Sequence, residues 1–170
     1  MFRFSIPQMA LALCAAGLVT ASWAQQAPVR DASVGEMVER LAPQPTATTR
    51  SMRNLVPQKR ELDLVVQFDF DSARLQAVSK PLLENLAEAM ATQRLVGTRF
   101  LVQGHTDAKG TAAYNEALSA RRAQSVAEFL QSKGIRAERL KTEGKGFNEL
   151  LLRDQPEAPE NRRVRIVAVE

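Results

Sequence analysis

A helix that turns an arginine toward the protein interior needs an anion to meet it, and residues 112–133 present such an arginine. Counting roughly 100° per residue from Asn115, one stripe collects Asn115, Leu118, Ser119, Arg122, Ala123, Val126, Phe129 and Leu130, while the adjacent Arg121 points to solvent. The C-terminal half of that stripe is ordinary core. Its N-terminal half groups Asn115, Ser119 and Arg122, and a buried guanidinium without a counter-charge is strongly destabilising. Two kinds of partner are open. One is an internal carboxylate, Asp69, Asp71 or Asp107, forming a structural pair. The other is a ligand carboxylate held beside such an aspartate, with the helix N-terminus adding favourable potential for the anion.

His105 next to Asp107 would suit hydrolytic chemistry, yet no Ser or Cys nucleophile sits at a recognisable elbow. One histidine with scattered carboxylates is weak metal evidence, so His105 is expected to hydrogen-bond within its loop. Gly144-Lys145-Gly146 lacks the spacing of a phosphate-binding loop and reads as a turn. The expectation is a binding module, not an enzyme, with no cofactor and no metal. Composition agrees: 45% hydrophobic and 25% charged residues fit a globular chain and exclude a disordered or fibrous one. A single Cys excludes a disulfide framework and multi-cysteine zinc sites. Lys+Arg 23 against Asp+Glu 19 gives +4, a mild excess without the clustering that nucleic-acid binding requires.

The elements that must position these residues follow from periodicity. Residues 62–68 and 99–104 read as strands, and 139–143 and 163–169 as two more. Ser79 is expected to cap a helix with Pro81 in its first turn, running to about residue 93, with Leu75, Leu82, Leu86 and Ala89 inward. The helix carrying Arg122 ends at Gly134. The fold class is therefore α+β: two layers, a β-α-β-α-β-β mixed sheet with the helices on one face.

Residues 1–24 read as a secretory signal peptide. Arg3, the apolar stretch from Met9 to Val19, and small residues at Ser22 and Ala24 give its three parts. The apolar run is shorter than the ~20 residues a membrane-crossing helix needs, and Leu13 occupies the place a small residue takes before a lipidated cysteine, so Cys14 is not read as a lipid site. Residues 25–61 form a linker broken by Pro28, Pro43, Pro45 and Pro57, with a possible short helix that Ser33 and Glu36 would cap. Whether that helix docks or lies in a disordered stalk is left open by the sequence. Residues 62–170 form the domain.

Several blocks in that domain carry a resemblance. Phe68-Asp69-Phe70-Asp71-Ser72-Ala73, Gly104-His105-Thr106-Asp107-Ala108-Lys109-Gly110, Tyr114-Asn115-Glu116-Ala117-Leu118-Ser119-Ala120-Arg121-Arg122-Ala123, Lys133-Gly134-Ile135, Gly144-Lys145-Gly146 and Asn161-Arg162-Arg163-Val164 together resemble the OmpA-like C-terminal domain family. That family includes the peptidoglycan-associated lipoprotein and the periplasmic part of flagellar stator proteins. The resemblance implies non-covalent binding of peptidoglycan through the free end of diaminopimelate in the stem peptide, linking envelope to cell wall. It implies Asp107 and Arg122 as the residues that hold this group, Asn115 and Leu118 in the same pocket, and Phe70 and Asp71 on a bordering loop. The expected location is the periplasm, free or held at the outer membrane, with an envelope protein as a partner for residues 25–61. The alternative is a structural or protein-interaction module in which Asp107 and Arg122 form an internal ion pair. The roles of Arg162 and Arg163 stay undecided between glycan contact and pairing across the sheet.

Overall fold

The structure is a computed structural model that describes residues 27–43 and 60–169; the expected signal peptide, and Arg50, Arg53 and Lys59 of the linker, lie outside the described residues. Four strands, β1 (Glu61–Leu64), β2 (Arg99–Gly104), β3 (Leu140–Gly144) and β4 (Val164–Val169), form one sheet in the order β1-β4-β2-β3. β2 and β3 are parallel and the β1–β4 and β2–β4 pairs antiparallel, so the sheet is mixed as expected. Helices α1 (Val34–Leu41), α2 (Lys80–Ala91) and α3 (Ala112–Ser132) pack on it. β1, β4 and the first half of β2 follow a period of two: Leu62, Leu64, Phe100, Val102, Val164 and Ile166 are buried in one core with Leu83, Leu86, Met90, Val126 and Leu130 of the helices, whereas β3 shows no such alternation.

Helix α1 answers the question left open for the short helix within residues 25–61: it docks. Ser33 and Glu36 close the capping box, and Met37, Val38 and Leu41 are buried in the common core. An eight-residue helix is marginal alone, so this packing holds it. Ahead of it Val29 pairs in parallel with Leu64, donating to the Asp63 carbonyl at 2.8 Å and accepting from Val65 N at 2.9 Å. Asn85 Nδ2 donates to the Ala32 carbonyl at 3.0 Å. This part of the segment read as linker is thus integral to the domain.

Two expectations are corrected. The first strand stops at Leu64, and Phe68 forms only an isolated bridge with Leu75. Ser79 stands at the N-cap position of α2 with Pro81 in the first turn, as expected, but its side chain makes no capping bond: it ends a 3-10 turn, Ala77–Ser79, and its hydroxyl accepts from Gln67 N at 2.7 Å. The same polar side chain that would cap a helix end instead satisfies the chain that has left the sheet.

The seam that sets the site is glycine against helix. Gly104 and Gly144 face each other across β2 and β3. A Cβ on Gly104 would stand 2.1 Å from the Ser119 carbonyl oxygen, and one on Gly144 2.6 Å from Ala120 N and Glu116 O. Only hydrogen at both positions lets the N-terminal half of α3 lie directly on the strand ends. Ser119 Oγ, fully buried there, donates to Glu116 O at 2.8 Å and accepts from Gly146 N at 2.9 Å.

Candidate functional site

Asp107 lies on the loop between β2 and α3, and the folding of that loop is local. Thr111 caps α3, accepting from Tyr114 N at 3.3 Å, and Gly110 turns with φ 88°. Asn115, buried, donates from Nδ2 to the carbonyls of Lys109 at 2.6 Å and Thr111 at 3.2 Å. Its amide nitrogen therefore ties the loop to the helix. Leu118 is buried one turn further on.

Among the described residues the ion pair of the alternative reading, Asp107 with Arg122, is not formed. Asp107 Oδ2 instead accepts from Arg162 Nη1 at 2.7 Å, and its Oδ1 accepts from Lys109 N at 3.2 Å. Arg122 is half-buried, lies 5.0 Å over the Phe68 ring and donates from Nε to the Ser72 carbonyl at 3.1 Å. Among the described residues its two terminal nitrogens have no hydrogen-bond partner. Burial first, and then the nearby charge of Arg162, push its proton affinity down, while Asp107 and Asp71 pull it up. The guanidinium stays charged, and it looks onto the two aspartates without touching either.

Phe70 and Asp71 form the opposite border. Asp71 takes the left-handed backbone conformation, φ 50°, and its carboxylate accepts from the Tyr114 hydroxyl. This turn presents Phe70 fully to solvent, 99% exposed. Hydrogen bonds thus bring Asp107, Asn115, Asp71 and Arg122 to the N-terminal half of α3, its leading loop and the turn beside it, with Leu118 on the same helix, while Phe70 projects into solvent. A depression of about 510 Å³ on the outer side of α3, lined by Ala73, Arg121, Gln124 and Thr142, contains none of them.

Pairing across the sheet, one of the two roles left open for Arg163, is the one the structure shows, and Arg165 and Arg139 carry roles that sequence reasoning missed. Arg163 is buried and Arg165 nearly so: both donate to Asp63, Arg163 Nε at 3.1 Å and Arg165 at 2.8 and 2.9 Å. Arg163 also donates to the carbonyls of Glu149 at 3.1 Å and Asn161 at 3.4 Å. Burial opposes ionisation of Asp63, but hydrogen bonds and charge from these two arginines outweigh it and hold its carboxyl below the usual range. Arg139, expected in a strand, sits in the 3-10 turn Ala137–Arg139 and donates to the carbonyls of Thr98, Met90 and Leu95. It closes the C-terminal end of α2.

His105 also departs from expectation. Its backbone N–H donates to Arg163 O at 2.9 Å, but neither ring nitrogen meets a hydrogen-bond partner among the described residues. Burial, reinforced by Arg163 and Arg165, pushes its pKa down to about 3, so the ring is neutral.

Fold and site together define a small α+β domain that presents an anion-ready arginine beside two aspartates. The chain belongs to the OmpA family, whose model matches residues 67–165. It is 41% identical over 104 residues to outer membrane protein A of Bordetella avium, a match covering 60% of this chain and 53% of that one. It is 40% identical over 75 residues to the peptidoglycan-associated lipoprotein of Agrobacterium fabrum, covering 44% and 41% respectively. The chain therefore spans about half the length of the first of these relatives. The crystal structure of the peptidoglycan-associated lipoprotein from Burkholderia pseudomallei superimposes with TM-score 0.53 at 31% identity, over 61% of this chain and 88% of that one.

Proposed function

We propose that this domain binds peptidoglycan non-covalently in the periplasm, through the free end of diaminopimelate in the stem peptide, and so helps link the envelope to the wall. That end carries an ammonium and a carboxylate on one carbon. Asp107 supplies an acceptor for the first and Arg122 a fork-shaped donor for the second. The observation that carries the reading is Arg122 itself: a half-buried guanidinium whose terminal nitrogens have no hydrogen-bond partner among the described residues, with the charges of Asp107 and Asp71 acting on it. Asn115 and Leu118 hold the loop and floor, and Phe70 and Asp71 form the rim. The relatives named for peptidoglycan association support this reading, as does the signal-like leader for export. Residues upstream of the domain would reach an envelope partner.

The structural alternative would rest on the Asp107–Arg162 pair, since Asp107 and Arg122 form no ion pair among the described residues. Sedimentation with purified sacculi tests the proposal. Asp107→Ala and Arg122→Ala are expected to stay folded and remain in the supernatant; co-sedimentation of both would exclude this site.

A further inference from the structure

Asp107, the acceptor assigned to a ligand ammonium, already has a cation on it. Arg162 Nη1 sits 2.7 Å from Oδ2, and the Asp107 side chain is only 10% exposed against 46% for Arg162. The carboxylate is thus nearly enclosed, with the more exposed guanidinium bound to it. The backbone that bears Arg162 is fixed: Asn161, fully buried, donates to the carbonyls of Leu152, Gln155 and Pro156 and accepts from Leu152 N. The side chain beyond it is half in water and makes one ion pair. Arg162 also lies near enough to Arg122 for its charge to be felt there, and both arginines act on Asp107, Arg162 by direct contact and Arg122 through its charge.

An ammonium that takes the place of Arg162 on Asp107 Oδ2 does so by exchange. A ligand that brings an ammonium alone makes one charge-assisted contact and breaks another, and leaves Arg162 beside Arg122 with no anion. A ligand whose ammonium and carboxylate share a carbon offers the displaced guanidinium a replacement between the two arginines. We propose that Arg162 is a specificity-determining gate of this site, trading Asp107 for the ligand carboxylate and so rejecting side chains that end in an ammonium only. This rests on the reading of Asp107 and Arg122 given above.

The test is titration of the full chain with two stem peptides, one containing diaminopimelate and one containing lysine at the same position. The unsubstituted protein is expected to prefer the first by at least about tenfold. In Arg162→Gln the lysine peptide binds more tightly and the diaminopimelate peptide less, bringing the ratio to within about threefold; Arg162→Lys retains most of the preference. A ratio unchanged in Arg162→Gln overturns the gate alone. Failure of the unsubstituted protein to bind the diaminopimelate peptide overturns the site reading beneath it. A readout without substitution is the Arg162 Nε–H resonance, which is expected to shift on saturation with the diaminopimelate peptide. A resonance that stays in place means that Arg162 does not leave Asp107, and the gate is wrong.

Discussion

Arg162 and Arg163 are neighbours in the chain and belong to opposite kinds of polar cluster. Arg163, 1% exposed, shares Asp63 with Arg165 and is further bound by two carbonyls. Its cluster is closed, with its charges matched inside the protein and held by several fixed partners. Arg162, 46% exposed, has one exchangeable ion-pair partner among the described residues, Asp107, and the terminal nitrogens of Arg122 have none there, its Nε alone donating to Ser72 O. The two clusters use the same residue types. What separates a structural ion cluster from a receptive one is how many fixed partners each guanidinium has, and whether water can replace them.

The largest expected effect breaks the closed cluster. Asp63→Ala strands two buried or nearly buried arginines and is expected to cost about 3–5 kcal/mol in denaturant unfolding. A loss below about 1 kcal/mol would mean that water already screens Asp63, erasing the contrast. Acid attacks the same cluster through His105. The folded chain keeps this ring neutral down to about pH 3, whereas an exposed histidine takes its proton near 6.5. Between those values the unfolded chain binds more protons, so stability is complete above about pH 6.5 and falls as pH drops toward 3. His105→Gln is expected to flatten that part of a stability-against-pH curve; a curve identical to the parent's would place the acid response elsewhere.

A smaller effect falls on the seam between strands and helix. Gly104→Ala forces α3 away from β2 and is expected to cost about 1–3 kcal/mol, with peptide affinity falling as well. Retained affinity in a destabilised variant would show that the site tolerates movement of α3. The smallest effect belongs to the open cluster. Asp107→Ala frees Arg162 to hydrate and is expected to change unfolding free energy by no more than about 1 kcal/mol while abolishing wall binding. A stability loss comparable to that of Asp63→Ala would make Asp107 structural and remove the distinction.

Much of this was legible in the sequence because it depends on local periodicity. The helical angle separates Arg122 from Arg121, and the structure keeps Arg122 half-buried and Arg121 exposed. Alternation located β2 and β4 to within a residue. The parts that were not legible depend on register or on distant partners. Asp63 faces Arg165 only because β1 and β4 pair in that register, on the strand faces turned away from the buried Leu62, Leu64 and Ile166. Arg163 and Arg165, two residues apart on one strand end, were the available signal for a shared counter-ion. Arg162 reaches Asp107 across 55 residues of chain, and no local pattern reports that. The capping signal of Ser33 was realised and that of Ser79 was not, since a tertiary demand from Gln67 claimed the second hydroxyl.

The glycine pair at the ends of β2 and β3 has a consequence for how such a site can change over generations. Asp107 is carried just beyond Gly104, and Arg122 one turn beyond the Ser119 carbonyl that Gly104 touches. The span between the two is set by main chain resting on main chain, as in a caliper with a fixed jaw. Substitutions can alter what lines the opening, but no repacking of side chains can narrow or widen it, so new ligands must fit the inherited width.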